Sequence, residues 1–167
     1  MRPPVIGILA LALLQGAGYA RAATTGSTMA VSVTVNNSCS VSAAPMAFST
    51  YVPGAGAILG ATTVKVACTK SNPFNVGLGY GLTAGSSYTT RLLGNGANTL
   101  QYNLYTSGSH SIVWGDGSGS TQYVTGTGTG TATPVPLTVY GVLPDSAANQ
   151  LAAGGTYSDT ILVVIIY

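Results

Sequence analysis

The last seven residues constrain the fold of this chain more than any other segment. Residues 161–167 are all aliphatic or aromatic, with no polar interruption. A strand that is apolar on both faces must be covered on both faces. A strand with no following segment also keeps a free edge, and such an edge is a template for pairing with another chain. We therefore expect the closing strand to need an additional partner strand.

A second segment has the pattern of that missing strand. Met29, Val31, Val33 and Val35 alternate with small or polar residues, as in a half-buried strand. Main-chain pairing with alternate side chains in pockets is how an added strand is recognised by a sheet edge. We predict that residues 23–35 of one subunit complete the sheet of the next. The alternative is an ordinary first strand packed in its own domain.

The first 22 residues predict a secretory signal peptide. Arg2 precedes an apolar run at residues 5–14, and Ala20-Arg21-Ala22 matches a small-residue cleavage site. The apolar run is too short to span a bilayer. The exported chain would then begin at Ala23. Residues 36–167 would follow the N-terminal strand as one domain of ordinary size.

Charge in the exported part of the chain is sparse and balanced. It contains no Glu, and its charged side chains sum to zero: Lys65, Lys70 and Arg91 against Asp116, Asp145 and Asp159. Binding to nucleic acid therefore has no electrostatic basis. A surface with so few charges does not favour dispersed monomers. It suits a protein whose surface is covered by copies of itself.

Local patterns predict an all-β domain. The residue types that usually build surface helices are nearly absent. Short β-like runs alternate with turn signals, which is typical of a sandwich or barrel. These runs are residues 39–43, 62–68, 74–80, 100–105, 137–142 and the closing strand. The Gly-Thr repeat at residues 125–133 predicts a flexible loop, either a mobile hairpin or disordered.

The two cysteines left after export predict one disulfide bond. An even number of cysteines in an oxidising compartment is typical of a disulfide, here Cys39 to Cys68. Placed just after the N-terminal strand, the bond would anchor the domain where that strand departs. A metal site would need more ligands than one His and three Asp supply. We expect no metal and no cofactor.

Catalytic and sugar-binding interpretations have weaker support. His110 and Asp116 lack the nucleophile turn that would complete a hydrolase triad, and Asp116 lies in a turn that favours Asp on its own. No carboxylate pair is placed for glycoside hydrolysis. Trp114 and the ten tyrosines could form a sugar-binding platform, but core packing is the commoner role of such residues in β proteins. We predict no enzymatic activity.

The ordered motifs resemble the spore coat protein U domain family. They cover nearly the whole exported chain: residues 37–41 (NSCSV) with Phe48 and Tyr51, then 66–69 (VACT), 102–105 (YNLY), 114–117 (WGDG), 137–141 (LTVYG) and 155–160 (GTYSDT). Any one motif is weak, whereas the set in this order is specific.

The resemblance implies a fold and an assembly mechanism. The family includes subunits of archaic, Csu-type chaperone–usher pili, which resemble incomplete immunoglobulin-like β-sandwiches completed by donor-strand exchange. It implies a periplasmic chaperone, an outer-membrane usher, related pilus subunits and copies of the chain itself as partners. The chain would be exported through the periplasm to a cell-surface fibre that supports adhesion and biofilm formation.

The same resemblance gives the closing strand a role in contacting the chaperone and lining the groove. Its candidate residues are Ile161, Val163, Ile165 and Tyr167. The sequence leaves open which face of this strand lines the groove. Two other functions also remain open: a secreted spore or cell coat protein of the same fold, and a carbohydrate-binding β-sandwich module.

Overall fold

The computed structural model describes residues 21–167, in two units. The first unit ends at Thr34, and the second is Val35–Tyr167. The predicted signal peptide lies outside the described residues except for Arg21 and Ala22. No helix within residues 21–167 is long and apolar enough to cross a membrane.

The second unit is all-β, with two antiparallel sheets. Its strands are β1 (Cys39–Ala43), β2 (Ile58–Cys68), β3 (Pro73–Leu78), β4 (Arg91–Asn95), β5 (Asn98–Tyr105), β6 (Val124–Thr127), β7 (Val135–Leu143) and β8 (Val163–Ile166). One sheet has the strand order β1-β2-β7-β5-β4, and the other has the order β6-β3-β8. A single turn of helix, α1 (Ala147–Gln150), precedes the last strand. The all-β prediction is confirmed, although β4 and β6 were not predicted.

Alternation along the strands builds the core between the two sheets. Val64 and Val66 of β2 are buried, and Phe74 and Val76 of β3 are buried opposite them. Trp114 is fully buried among them, and its ring N–H donates to the carbonyl of Val76 at 2.8 Å. Trp114 is therefore a core residue, and it cannot serve as a sugar-binding platform.

Arg91 is fully buried where the two sheets meet. Its guanidinium donates to the carbonyls of Gly79 and Trp114 and to the side-chain oxygen of Asn103. Burial lowers the pKa of this group. A planar cation with several donors suits this position because it can satisfy several carbonyls at once. Arg91 thus links the end of β3 to β5.

The Gly-Thr repeat is only in part a loop: its first three residues, 125–127, lie in a strand, and for them the prediction of a loop was wrong. Residues 124–127 form β6 against β3. A Cβ on Gly126 would clash with the Phe74 ring. The N–H of Gly128 donates to the carbonyl of Asn72 at 2.8 Å. These glycines are required because neighbouring atoms pack closely against them. The local sequence pattern does not reveal such packing.

Candidate functional site

Among residues 21–167, the last strand is paired on one side only. β8 lies at the edge of its sheet, and its described partner is β3. The N–H of Gly79 donates to the carbonyl of Leu162 at 2.8 Å, so Leu162 directs its main-chain groups toward β3. Main-chain direction alternates along an antiparallel strand. The N–H and C=O groups of Ile161, Val163 and Ile165 therefore point to the open edge.

The same three residues turn their side chains inward. Ile161, Val163 and Ile165 are half-buried and pack against the core. Leu162, on the other face, is 65% exposed. The structure thus shows which face of the closing strand lines the interior, a point that the sequence left open.

Tyr167, the fourth residue predicted for this strand, lies apart from the other three. It is 58% exposed and borders a separate hollow beside Phe74 and Gly126. The strand itself ends at Ile166.

An open groove runs alongside this edge. It consists of two adjoining hollows of about 330 Å³ and 850 Å³. Four residues line both hollows, namely Met46, Phe48, Leu93 and Asp159. One wall is the end of β1 with the segment that follows it, at residues 43–53, and the other is the segment that leads into β8 with the first residue of that strand, at residues 152–163. The groove lies within the second unit. The lining of the smaller hollow, beside β8, is mostly apolar, whereas that of the larger hollow is mixed.

The first wall is held by Asp145. The hydroxyl of Tyr51 donates to its carboxylate at 2.5 Å, and the N–H groups of Gly54 and Gly56 donate at 3.1 Å and 3.0 Å. These hydrogen bonds, with that of Tyr51 the largest, lower the pKa of Asp145. The pKa of Tyr51 is raised to about 12, by desolvation and by this bond. The pair is a fixed anchor for the residue 51–56 loop.

Asp159 organises the opposite wall. Its carboxylate accepts from the main-chain N–H of Leu82 and Thr83 at 2.9 Å and 3.0 Å, and from the hydroxyl of Tyr102 at 2.7 Å. Burial and this bond raise the pKa of Tyr102. With its oxygens committed to these donors, Asp159 positions the chain before β8. It is not arranged as a catalytic acid or base.

The residues of the predicted donor strand, 23–35, do not form a strand in this structure. Met29, Val31, Val33 and Val35 are 84%, 83%, 89% and 75% exposed. Four large apolar side chains exposed in one short segment are a feature to be explained, because such groups gain free energy on burial. Their role as a donor strand stays a prediction.

The C-terminal end of this segment is bonded to the domain. Thr69 donates from its N–H to the carbonyl of Ser38 at 2.9 Å and accepts from the N–H of Ser38 through its hydroxyl at 3.0 Å. Cys39, the next residue, is bonded to Cys68, which confirms the predicted disulfide. The two cysteines are also paired across β1 and β2.

The residues considered for catalysis are not brought together as a catalytic site. The His110 ring packs edge-on against Tyr105, with 5.4 Å between ring centroids, and also against Tyr140. Asp116 accepts from the N–H of Ser118 at 2.9 Å, the turn bonding expected from its sequence. Within residues 21–167, no group of three or more His, Cys, Asp or Glu could hold a metal ion.

Sequence reasoning did not identify four residues that shape the groove: Met46, Leu93, Asp145 and Asp159. The spacing of Met46 and Phe48 was a usable signal, since two large apolar residues two positions apart share a face of an extended segment. Nothing local marks Asp145 and Asp159 as wall anchors, because their partners lie 57 to 94 residues away in the chain.

Comparison with known proteins identifies the family. The spore coat protein U domain matches residues 25–164. The chain belongs to this family. The predicted family membership is thereby confirmed, and the matched region includes most of the exposed N-terminal segment. No curated protein matches the chain.

Among solved structures, the fold is similar to one chain of a pilus assembly complex. That structure is the CsuC–CsuE chaperone–tip adhesion subunit pre-assembly complex, from the archaic chaperone–usher Csu pili of Acinetobacter baumannii. The TM-score is 0.57 at 20% identity, and the match covers 80% of this chain. It covers 41% of the other chain, so this chain spans less than half the length of its structural neighbour. The likeness supports the immunoglobulin-like fold.

Proposed function

We propose that this protein is a structural subunit of a chaperone–usher surface fibre, which polymerises by donor-strand complementation. Residues 23–35 of one copy add to the open edge of β8 in the next copy. The side chains of Met29, Val31, Val33 and Val35 enter the groove. The fold is then an incomplete sandwich that another chain completes.

The observation that carries this proposal is a groove, apolar where it runs beside β8, next to a strand edge that has no partner strand among the described residues. Ile161, Val163 and Ile165 present inward apolar side chains there and direct their N–H and C=O groups to that edge. This is the combination that strand addition needs, because main-chain bonds give affinity and alternate pockets give specificity. Seven extended residues from Met29 to Val35 span about 20 Å.

The free energy available is large enough for durable assembly. Burying four apolar side chains would contribute roughly 6–10 kcal/mol before the cost of ordering the segment. Each main-chain hydrogen bond adds about 1 kcal/mol net. The disulfide and the hydrogen bonds of Thr69 fix the C-terminal end of the segment to the domain. The conformational entropy lost on assembly is therefore mainly that of residues 23–35.

The partners follow from the same groove. Before assembly, a periplasmic chaperone would cover the open edge of β8, and an outer-membrane usher would exchange it for the incoming strand. The neighbouring structure is itself named as a chaperone–subunit complex, which supports the chaperone as a partner. Export through the periplasm, a place at the cell surface, copies of the chain and related subunits as fibre partners, and a contribution to adhesion and biofilm formation belong to this proposal. Family and fold favour a structural role over a catalytic one.

A fusion chain tests the proposal. Residues 23–35 are moved from the N-terminus to a position after Tyr167, joined through a flexible linker long enough to turn back. We expect a stable monomer that no longer polymerises, because the donor strand now fills the groove of its own chain. A fusion with Val31 and Val33 changed to Asp is the matched control and should stay unstable or bind the chaperone. A polymerising fusion, or equal stability of both fusions, would contradict the proposal.

A coat protein that uses the same strand exchange is the second candidate, supported by the family to which the chain belongs. Chaperone and usher genes beside the gene for this chain favour the pilus. Their absence, together with the protein in an outer coat fraction, favours the coat.

A further inference from the structure

Two facing glycines form a depression in the floor of the larger sheet. Gly60 of β2 and Gly141 of β7 are partners in register. Gly141 lies between Val139 and Leu143, which are both buried, so the position faces the interior. Two neighbouring positions without side chains leave space above the sheet at this point. Neither glycine has a positive φ, so backbone conformation does not explain them.

Two side chains of the groove wall occupy that depression. A Cβ on Gly141 would lie 2.5 Å from Met46 Sδ and 2.9 Å from Phe48 Cζ. A Cβ on Gly60 would lie 3.2 Å from the Phe48 ring. Separations this short show that Met46 and Phe48 rest directly on glycine backbone. Any side chain at Gly141 must push them outward.

A displacement of Met46 and Phe48 away from the sheet would move their side chains into the groove. Met46 and Phe48 line both of its hollows. Phe48 also packs edge-on against Tyr102, with 6.1 Å between ring centroids, so it has little room to move sideways. The depth of the groove is thus set by how far these two side chains sink into the sheet.

We infer that the Gly60–Gly141 pair is the depth-setting element of the acceptor groove, and that Met46 and Phe48 on it decide how large a donor side chain fits. The inference rests on the proposed function. Gly60 and Gly141 are positioning residues, since they act through Met46 and Phe48. Above this glycine pair we expect room for a valine-sized side chain and not for a larger one, so that one of the three valines of the N-terminal segment, and not Met29, would lie there. The depth-setting role also accounts for the glycine of the LTVYG motif.

The first test uses residues 23–167 carrying Val31→Asp and Val33→Asp, so that the chain's own N-terminal segment cannot fill a neighbour's groove, and a labelled peptide of residues 23–35. This chain is the unchanged chain of both tests, and every variant is made in it. The variant Gly141→Ala should bind the peptide at least about tenfold more weakly than the unchanged chain, because displaced side chains overfill the groove. Adding Met46→Ala should restore binding to within about threefold, because it removes the nearest atom. A purely structural role would lower the melting temperature without such restoration.

Gly108→Ala is the matched control. Its added Cβ would lie 3.4 Å from the Tyr140 ring, an ordinary contact, and Tyr140 is on the opposite face of the sheet from Gly141. We expect its peptide affinity to be unchanged. Gly141→Ala with unchanged affinity, or a double variant as weak as Gly141→Ala, would overturn the inference.

A second test does not depend on the folding of Gly141→Ala. In Phe48→Ala the groove deepens, so peptides with Val31→Phe or Val33→Phe should bind this variant better than they bind the unchanged chain. If neither larger peptide prefers Phe48→Ala, the size-selection claim is wrong. The unchanged peptide on the unchanged chain separates the two levels: its failure to bind overturns the proposed function itself, whereas binding without the glycine effects overturns only this inference.

Discussion

Truncating one valine of the N-terminal segment should weaken assembly by a predictable amount. Val33 is 89% exposed in the described chain, the highest value among the four apolar residues of its segment. If it enters a neighbour's groove, nearly its whole side chain is buried on assembly. Val33→Ala would then remove two buried carbon groups without changing the main chain.

The magnitude follows from the area removed from water. At about 0.8 kcal/mol for each buried CH₂, Val33→Ala should cost about 1.5–2 kcal/mol of binding free energy. Each 1.4 kcal/mol is about a tenfold change in affinity, so a loss of roughly 10- to 30-fold is expected. A cavity left in a rigid groove would raise the loss further.

The assay is dissociation of a labelled peptide of residues 23–35 from the groove of residues 23–167 carrying Val31→Asp and Val33→Asp, whose own N-terminal segment cannot compete for the groove. The dissociation rate should carry most of the change, as it does for most interface variants. Thr34→Ala is the matched control, because Thr34 is the next residue and lies on the other face of an extended segment. Its dissociation rate should stay within about twofold of the unchanged peptide.

Equal effects of Val33→Ala and Thr34→Ala would refute the alternating-face reasoning. A larger effect from Thr34→Ala would mean that the other face enters the groove. No effect from either variant, with tight binding of both, would leave main-chain pairing as the sole source of affinity.

Three further predictions concern the domain itself. Replacing Cys39 and Cys68 by Ser should lower the free energy of unfolding by roughly 3–4 kcal/mol, measured by denaturant titration. Single-fibre pulling should also show a lower rupture force. Unchanged values in both measurements would contradict the anchoring role of the disulfide. Asp145→Asn should be less stable than the unchanged chain at pH 6, and this difference in stability should shrink as the pH falls below about 4. The reason is that the hydrogen bonds that lower the pKa of Asp145 stabilise the fold only while the carboxylate is charged. A difference that is independent of pH would contradict this. Arg91→Lys should lower the urea midpoint, with a loss of about 2–3 kcal/mol, since an ammonium cannot reach all the carbonyls that the guanidinium satisfies; Lys65→Arg, at an exposed position, is its control.

Much of the fold could be read from alternation along the chain. Residues 39–43, 62–68 and 100–105 lie within observed strands because their apolar residues recur with period two and face a single core. The closing strand was found from its apolar run, although the strand begins at Val163, two residues after the run does. The disulfide was found because two cysteines in an exported chain have one pairing available.

The features that escaped depend on contacts between distant parts of the chain. β4 contains Gly and Asn, and β6 contains Gly, and these residues weaken any local strand signal. Gly126 and Gly141 look like flexible positions in sequence, yet each lies under a large side chain, Phe74 or Met46. Arg91 entered the sequence analysis only in the charge balance, because only the folded structure brings its carbonyl partners together.

The central claim is that residues 23–35 of one copy complete the fold of another. The most direct measurement compares residues 23–167 with residues 36–167 by electron microscopy and size-exclusion chromatography. We expect SDS-resistant fibres from the longer chain and none from the shorter one, whose folding should be restored by an added peptide of residues 23–35. Stable, well-folded monomers from both chains would contradict the account, because the sheet would then be complete without a second copy.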